Sequence, residues 1–168
     1  MKHILLLTTG GTIASRPTEE GLAPGMDGDA LTRHFPLLSE NYALTVRDIL
    51  HLDSSNIQPE EWQLIARAVH DQRAAYDGVV ITHGTDTMAY TASVLSFMLR
   101  GIPIPVVLTG SQLPIEHPLT DALENLRIAF AMATSGTPGV FVAFDRKVIL
   151  GCRAVKTLSL IHISEPTR

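Results

Sequence analysis

Short apolar runs recur along the chain at His3–Thr8, Ala43–Ile49, Gly78–Thr82, Pro105–Thr109 and Gly139–Phe144, each separated by a helical or turn-rich stretch. That alternation predicts an α/β sheet. Val79–Ile81 and Val106–Leu108 are apolar at consecutive positions, as central parallel strands buried on both faces are. "PEEWQLIARAVHDQRAAY" sets Trp62, Ile65 and Val69 at i, i+3 and i+7. Pro59 suits the first helical position, and Glu60 and Glu61 suit the positive helix end. "TMAYTASVLSFMLRG" and "LTDALENLRIAFAMATSG" repeat the helical pattern and end at Gly101 and Gly136, where glycine suits a left-handed C-cap. "SRPTEEGLAPGMDGDA", residues 15–30, has no period and reads as a long surface loop.

Composition narrows the picture. With 168 residues, 45% of them hydrophobic, the chain is long enough for one domain with a substantial core and too short for two ordinary domains. Lys and Arg number 13 against 17 Asp and Glu, and no basic run forms a nucleic-acid footprint. Cys152 stands alone, so an intramolecular disulfide is excluded. "MKHILLL" reaches polar Thr8 too soon for a signal peptide or a membrane span, which gives a cytoplasmic expectation and no membrane partner. His51, His70, His117 and His162 share no metal-ligand spacing, and no metal is assigned.

In open α/β sheets, ligands bind beyond the carboxyl ends of the strands, so the residues that follow each run carry the functional signal. They are "TTGGTIAS", "HLDSSN", "THGTDT" and "TGSQ": small hydroxyls, aspartates and glycines at four consecutive strand ends. Each has a plain structural reading. Thr85 or Asp86 suits the N-cap of a helix starting near Met88, and Ser54 and Ser55 suit a turn. Asp121 reads as a first-turn helix carboxylate and His83 as hydrogen-bonded scaffold. A phosphate loop is disfavoured because the spacing after Gly10 and Gly11 lacks the second glycine and the lysine. A G-x-S-x-G nucleophile elbow is absent as well.

Taken together, "TGGTIAS" at 9–15 and "GVVITHGTDTM" at 78–88 resemble the two active-site signatures of the bacterial-type L-asparaginase family. "DSSN" at 53–56, "TGSQLP" at 109–114 and "RAVK" at 153–156 follow in the family's order, so the resemblance spans residues 3–157 and is most like the cytoplasmic, type I branch. It implies a catalytic domain over 1–157 that is α/β, a doubly wound, mostly parallel sheet with helices on both faces. The implied reaction is hydrolysis of L-asparagine to aspartate and ammonia through an acyl-enzyme, without cofactor or metal.

By position, Thr12 resembles the family's first nucleophile, and Thr85, Asp86 and Lys156 its second threonine, aspartate and lysine. Backbone N–H groups near Gly84–Thr85 and Ser111 would stabilise the oxyanion. Asp86 would meet the substrate ammonium, and Ser54, Ser55 and the backbone around Asp53 its α-carboxylate. "RPTEEGLAPG" would serve as a mobile lid, with Leu22 where the family usually carries a tyrosine.

The family continues into a smaller second domain, and each site is completed by a neighbouring subunit, so the full-length form is expected as a homodimer or homotetramer and this chain as an inactive fragment. Residues 158–168 resemble no part of the family and are similar to translated sequencing-adapter sequence; "LSLIHI" alternates apolar and polar positions with no partner strand expected in this chain. Two other readings remain open. One is the glutamine-hydrolysing subunit of a tRNA amidotransferase, which has an extra N-terminal domain where only eight residues precede the motif here. The other is a catalytically silent amino-acid-binding module.

Overall fold

A computed structural model describes residues 1–19, 21–158 and 162–164. Its elements run β1 (His3–Gly10), β2 (Ser15–Thr18), β3 (Gly21–Pro24), α1 (Gly28–Arg33), α2 (Pro36–Asn41), β4 (Ala43–Leu52), α3 (Pro59–Gln72), β5 (Gly78–Thr82) and α4 (Met88–Met98). They continue with β6 (Pro105–Thr109), α5 (Ala122–Ala133), β7 (Gly139–Phe144), β8 (Lys147–Leu150), β9 (Val155–Leu158) and β10 (His162–Ser164). The main sheet is ordered β4-β1-β5-β6-β7-β8. Its first five strands are parallel and β8 returns antiparallel on β7.

Two cores follow from the two faces of that sheet. On one, α3 and α4 bring Ile65, Val69, Ala92 and Leu95 onto Leu5, Leu7, Val79, Ile81 and Leu108. On the other, α1, α2 and α5 bring Leu31, Leu38, Leu126 and Phe130 onto Ile4, Leu6, Val80 and Val107. Alternate residues of β1 and β5 thus serve opposite cores, and these strands are apolar throughout because neither face meets water. The doubly wound sheet with helices on both faces is the fold the resemblance implied.

The helical expectations hold at their ends. Pro59 opens α3 in a capping box in which Glu61 accepts the Gln58 backbone N–H at 2.5 Å. Gly101 and Gly136, beyond α4 and α5, adopt φ of 78° and 76°. Residues 15–30 differ from the expected loop: β2 and β3 pair as a hairpin, Ser15 with Pro24 through Thr18 with Gly21, and Asp27 then caps α1 by accepting the Ala30 N–H at 2.7 Å. Hairpins this short lack the length for a readable alternation. Strand β10 also finds a partner, pairing antiparallel with β9 where none was expected. The rest of the 158–168 expectation, at 159–161 and 165–168, lies outside the described residues.

The crossovers carry one irregularity. Strands β5, β6 and β7 advance in one direction across the sheet, yet α4 packs on one face and α5 on the other. The β6–α5–β7 crossover therefore has the opposite hand to the other three, an arrangement found in roughly one crossover in fifty. No helix among the described residues is long and apolar enough to cross a membrane.

Candidate active site

The parallel strands follow the order second, first, third, fourth, fifth, so the chain reverses direction across the sheet between β1 and β5. The carboxyl end of that junction is where open α/β sheets hold ligands. There the segments after β1, β4 and β5 meet at van der Waals contact. A Cβ on Gly11 would lie 2.5 Å from Gly84 N, and one on Gly84 would lie 2.5 Å from Ser54 Oγ. Gly11 also has φ of 84°. Glycine at both positions lets these three segments converge this closely.

The convergence frames a cleft of about 230 Å³. After β1 come Gly11, Thr12 and Ser15; after β4, Asp53 and Ser54; after β5, Gly84, Thr85 and Asp86; after β6, Gln112; and from β9, Lys156. Thr12 opens a 3-10 turn over Thr12–Ala14 that buries Ile13 and Ala14 and leaves the threonine half-buried at the cleft. Ser15 donates its hydroxyl to the Gly11 carbonyl at 3.0 Å, which holds the turn closed. Lys156 Nζ lies 3.2 Å from the buried Thr85 hydroxyl and 2.7 Å from the exposed Asp86 carboxylate. The lysine, itself mostly buried, joins two residues that sequence places side by side.

Seven of the nine residues singled out in the sequence line this cleft: Thr12, Asp53, Ser54, Gly84, Thr85, Asp86 and Lys156. The other two do not line it. Ser55 is exposed and donates both its N–H and its hydroxyl to Asp53 Oδ1, each at 2.9 Å, so it orients the aspartate. Ser111 is buried and turns its hydroxyl to the Leu113 carbonyl. Sequence reasoning missed Ser15 and Gln112, although both lie within motifs it quoted. Leu22 sits in β3, its backbone paired with Pro17.

His83 is the scaffold it was expected to be. Its ring is buried, with Nδ1 2.7 Å from the Gly84 carbonyl and Nε2 2.9 Å from the Thr91 hydroxyl, which also receives the Trp62 indole N–H at 2.8 Å. A carbonyl only accepts, so Nδ1 carries the proton and Nε2 accepts from Thr91. Burial lowers its pKa from 6.5 to about 4, the Gly84 carbonyl opposing in part, and the ring is neutral at pH 7. Because the two ends of a trans peptide unit point opposite ways, drawing the Gly84 carbonyl toward His83 turns the Thr85 N–H the other way. The helix cap expected of Thr85 or Asp86 is not formed. The N-cap position of α4 is Thr87, whose hydroxyl goes to the Ser54 carbonyl at 2.8 Å. Among the described residues, no cluster of three or more His, Cys, Asp or Glu is placed to hold a metal.

Comparison with known proteins bears on the fold and on the family. The family model described as Asparaginase, N-terminal, matches residues 3–160. The L-asparaginase of Thermococcus kodakarensis is 53% identical over 158 residues, covering 94% of this chain and 48% of that protein. Its solved structure superposes with a TM-score of 0.88. A structure titled as a probable cytoplasmic L-asparaginase from Campylobacter jejuni gives 0.85 at 35% identity, covering 95% of this chain and 49% of that one. A glutamyl-tRNA(Gln) amidotransferase component from Thermoplasma acidophilum is 39% identical, covering 83% of this chain and 35% of that protein. The chain spans about half the length, or less, of these relatives.

Proposed function

The chain belongs to the asparaginase family, and from that premise we propose that residues 1–157 form the catalytic domain of an enzyme hydrolysing the side-chain amide of L-asparagine. The observation that carries this reading is the bridge from Lys156 to Thr85 and Asp86 in a cleft that also holds Thr12. In the proposed reaction the Thr12 hydroxyl attacks the amide carbon, and the Thr85 N–H stands toward the developing oxyanion. The proton lost by Thr12 passes to the amide nitrogen, so that collapse breaks the C–N bond, expels ammonia and leaves an ester on Thr12; water then adds to the ester and returns a proton to Thr12 as aspartate leaves. Thr85 and Lys156 form a hydroxyl–amine pair through which a proton moves, with Asp86 fixing the amine.

Asp86 also faces the substrate's ammonium. Its carboxylate is exposed at the cleft mouth and has lone pairs beyond the one Lys156 occupies. Ser54 and the backbone around Asp53, whose carboxylate is taken up by Ser55, would receive the α-carboxylate. The complete enzyme is proposed as a cytoplasmic homodimer or homotetramer acting on this small substrate, in keeping with the cytoplasmic name of the Campylobacter protein.

Glutamine hydrolysis for a tRNA amidotransferase is the second reading, supported by the amidotransferase relatives. The 53% identity to an L-asparaginase favours the first. The test is ammonia release from L-asparagine and L-glutamine, by the 168-residue chain and by a hybrid in which the remaining half of the Thermococcus protein follows residue 157. Asparagine turnover by the hybrid, lost in Thr12→Ala, is the expected result. Turnover of glutamine alone would favour the amidotransferase reading, and L-aspartate binding without turnover a silent binding module.

A further inference from the structure

The wall of the cleft formed by Gln112 is one residue thick. Gln112 lines the cleft on one side and, on the other, a separate depression of about 190 Å³ that also contains Asp121 and Asn125. This partition is where the chain leaves β6 for the crossover of unusual hand, and it is held from behind by the first turn of α5. Both Asp121 oxygens lie 3.0 Å from the Gln112 N, and Oδ1 also accepts the Leu113 N–H at 3.2 Å. Asn125, buried and one turn further on, donates Nδ2 to Asp121 Oδ2 at 3.1 Å and to the Gly110 carbonyl at 2.9 Å, and its Oδ1 accepts the Asp145 N–H at 3.0 Å. Every polar atom of the asparagine is thereby used, which fixes its orientation and, through it, that of Asp121.

Asp121 occupies the N-cap position of α5 without capping it. Its backbone is helical, with φ −85° and ψ −6°, and its side chain accepts no N–H from the helix. The Ala122 N–H goes instead to the Thr120 hydroxyl at 3.1 Å. A capping aspartate takes extended backbone and accepts the N–H groups of its own helix. This one is turned away from its helix and onto the strand-end loop.

We propose that Asp121 is a positioning residue for ligand recognition, its carboxylate holding the Gln112 and Leu113 N–H groups so that Gln112 stands in the cleft wall. The inference rests on the asparaginase reading only for the choice of ligand. Charge-assisted bonds to backbone N–H groups are short and directional, so they set the placement of the residue that donates them.

The test is a double-mutant cycle in the full chain, with L-aspartate as the titrant in calorimetry and thermal melts alongside. Asp121→Asn is expected to weaken L-aspartate on the order of tenfold. In a Gln112→Ala background the same change is expected to alter affinity less than about twofold, because the residue it places is gone. Loss of thermal stability is expected to be equal in both backgrounds, as a purely structural role would have it. An unchanged affinity, or an equal loss in both backgrounds, overturns the proposal. If Asp121→Asn does not fold, Asp121→Glu, which keeps the charge and shifts the acceptor by a methylene, is read by the same cycle. If the wild-type chain binds no L-aspartate, the functional reading is decided by the hybrid's ammonia assay and the positioning role by NMR. Displaced Gln112 side-chain amide resonances in the Asp121 variant, with those of Val106–Leu108 unmoved, uphold it, and unmoved Gln112 resonances overturn it.

Discussion

Lys156 reaches across from β9 to place its Nζ 2.7 Å from Asp86, a residue 70 positions earlier in the chain. The same nitrogen is 3.2 Å from the Thr85 hydroxyl, so one side chain organises both Thr85 and Asp86. Asp86 is well exposed while the lysine is mostly buried, so water solvates the acid readily and the amine poorly. The pair is thereby suited to chemistry more than to holding the fold.

Lys156→Met tests that division. It keeps the apolar stem and removes the amine; with the Asp86 carboxylate exposed, the stability change is expected to stay within about 1 kcal/mol, as for exposed ion pairs. Ammonia release by the hybrid enzyme is expected to fall at least about a hundredfold, the usual scale for a lost proton-transfer group. Urea midpoints and ammonia assays measure the two effects. Turnover within about threefold of wild type would falsify the lysine's place in the relay.

Gly11→Ala and Gly84→Ala address the contact of backbones under the cleft. The added methyl on Gly11 would meet Gly84 N at 2.5 Å in a left-handed conformation, and that on Gly84 would meet Ser54 Oγ at 2.5 Å with no such conformational cost. Overpacking costs about 1–3 kcal/mol, and the left-handed backbone adds about 1–2 kcal/mol at Gly11. Gly11→Ala is therefore expected to be the more destabilised in urea titration. Both are expected to weaken L-aspartate. The reverse order of stability would mean that Ser54 cannot move aside and that the Gly11 turn can.

His83 makes stability depend on pH in a stated direction. Burial lowers its folded-state pKa to about 4 against 6.5 for an unperturbed imidazole, so between these values the unfolded chain holds a proton that the folded chain does not. Its contribution is complete above pH 6.5 and is lost as pH falls toward 4, at up to roughly 1.4 kcal/mol per pH unit. Urea titrations of wild type and His83→Gln at pH 7.5 and 5 isolate this contribution. The variant is expected to show the shallower fall; equal slopes would mean that His83 gains its proton without unfolding.

Much of this was legible in the chain because the signals were local. Val79–Ile81 is apolar at each position since both sheet faces are covered, and Pro59 with Glu61 announces the start of α3. Thr12, Thr85 and Lys156 were found through their motifs. What remained hidden depends on distant partners. Nothing in "LTDALENL" shows that Asp121 turns back to Gln112, since a carboxylate at a helix start reads the same whether it faces its own helix or a loop nine residues earlier. The hairpin Ser15–Pro24 was read as loop because four-residue strands containing proline carry almost no period. Ser111 was chosen for its backbone N–H, and only the fold reveals that its hydroxyl is held by the Leu113 carbonyl two residues on.

The α4 surface yields the remaining prediction. Tyr90 and Phe97 lie seven residues apart, on one helix face, and are 67% and 75% exposed. Tyr90 and Ser93 border a depression of about 500 Å³ also lined by Ala154, Val155 and Thr157, and Asp86 and Lys156 line both it and the cleft that holds Thr12. Val155 is itself 48% exposed. Contiguous apolar surface of this kind favours association in water, because each contact removes apolar area from solvent at about 25 cal/mol per Å². The 168-residue chain is therefore expected to self-associate with rising concentration. Because Tyr90 and Phe97 bury little in the fold, Tyr90→Ser with Phe97→Glu is expected to raise the monomer fraction in sedimentation velocity while leaving the urea midpoint near wild type. If the double variant associates as wild type does, the contact lies elsewhere and this face is not what drives it.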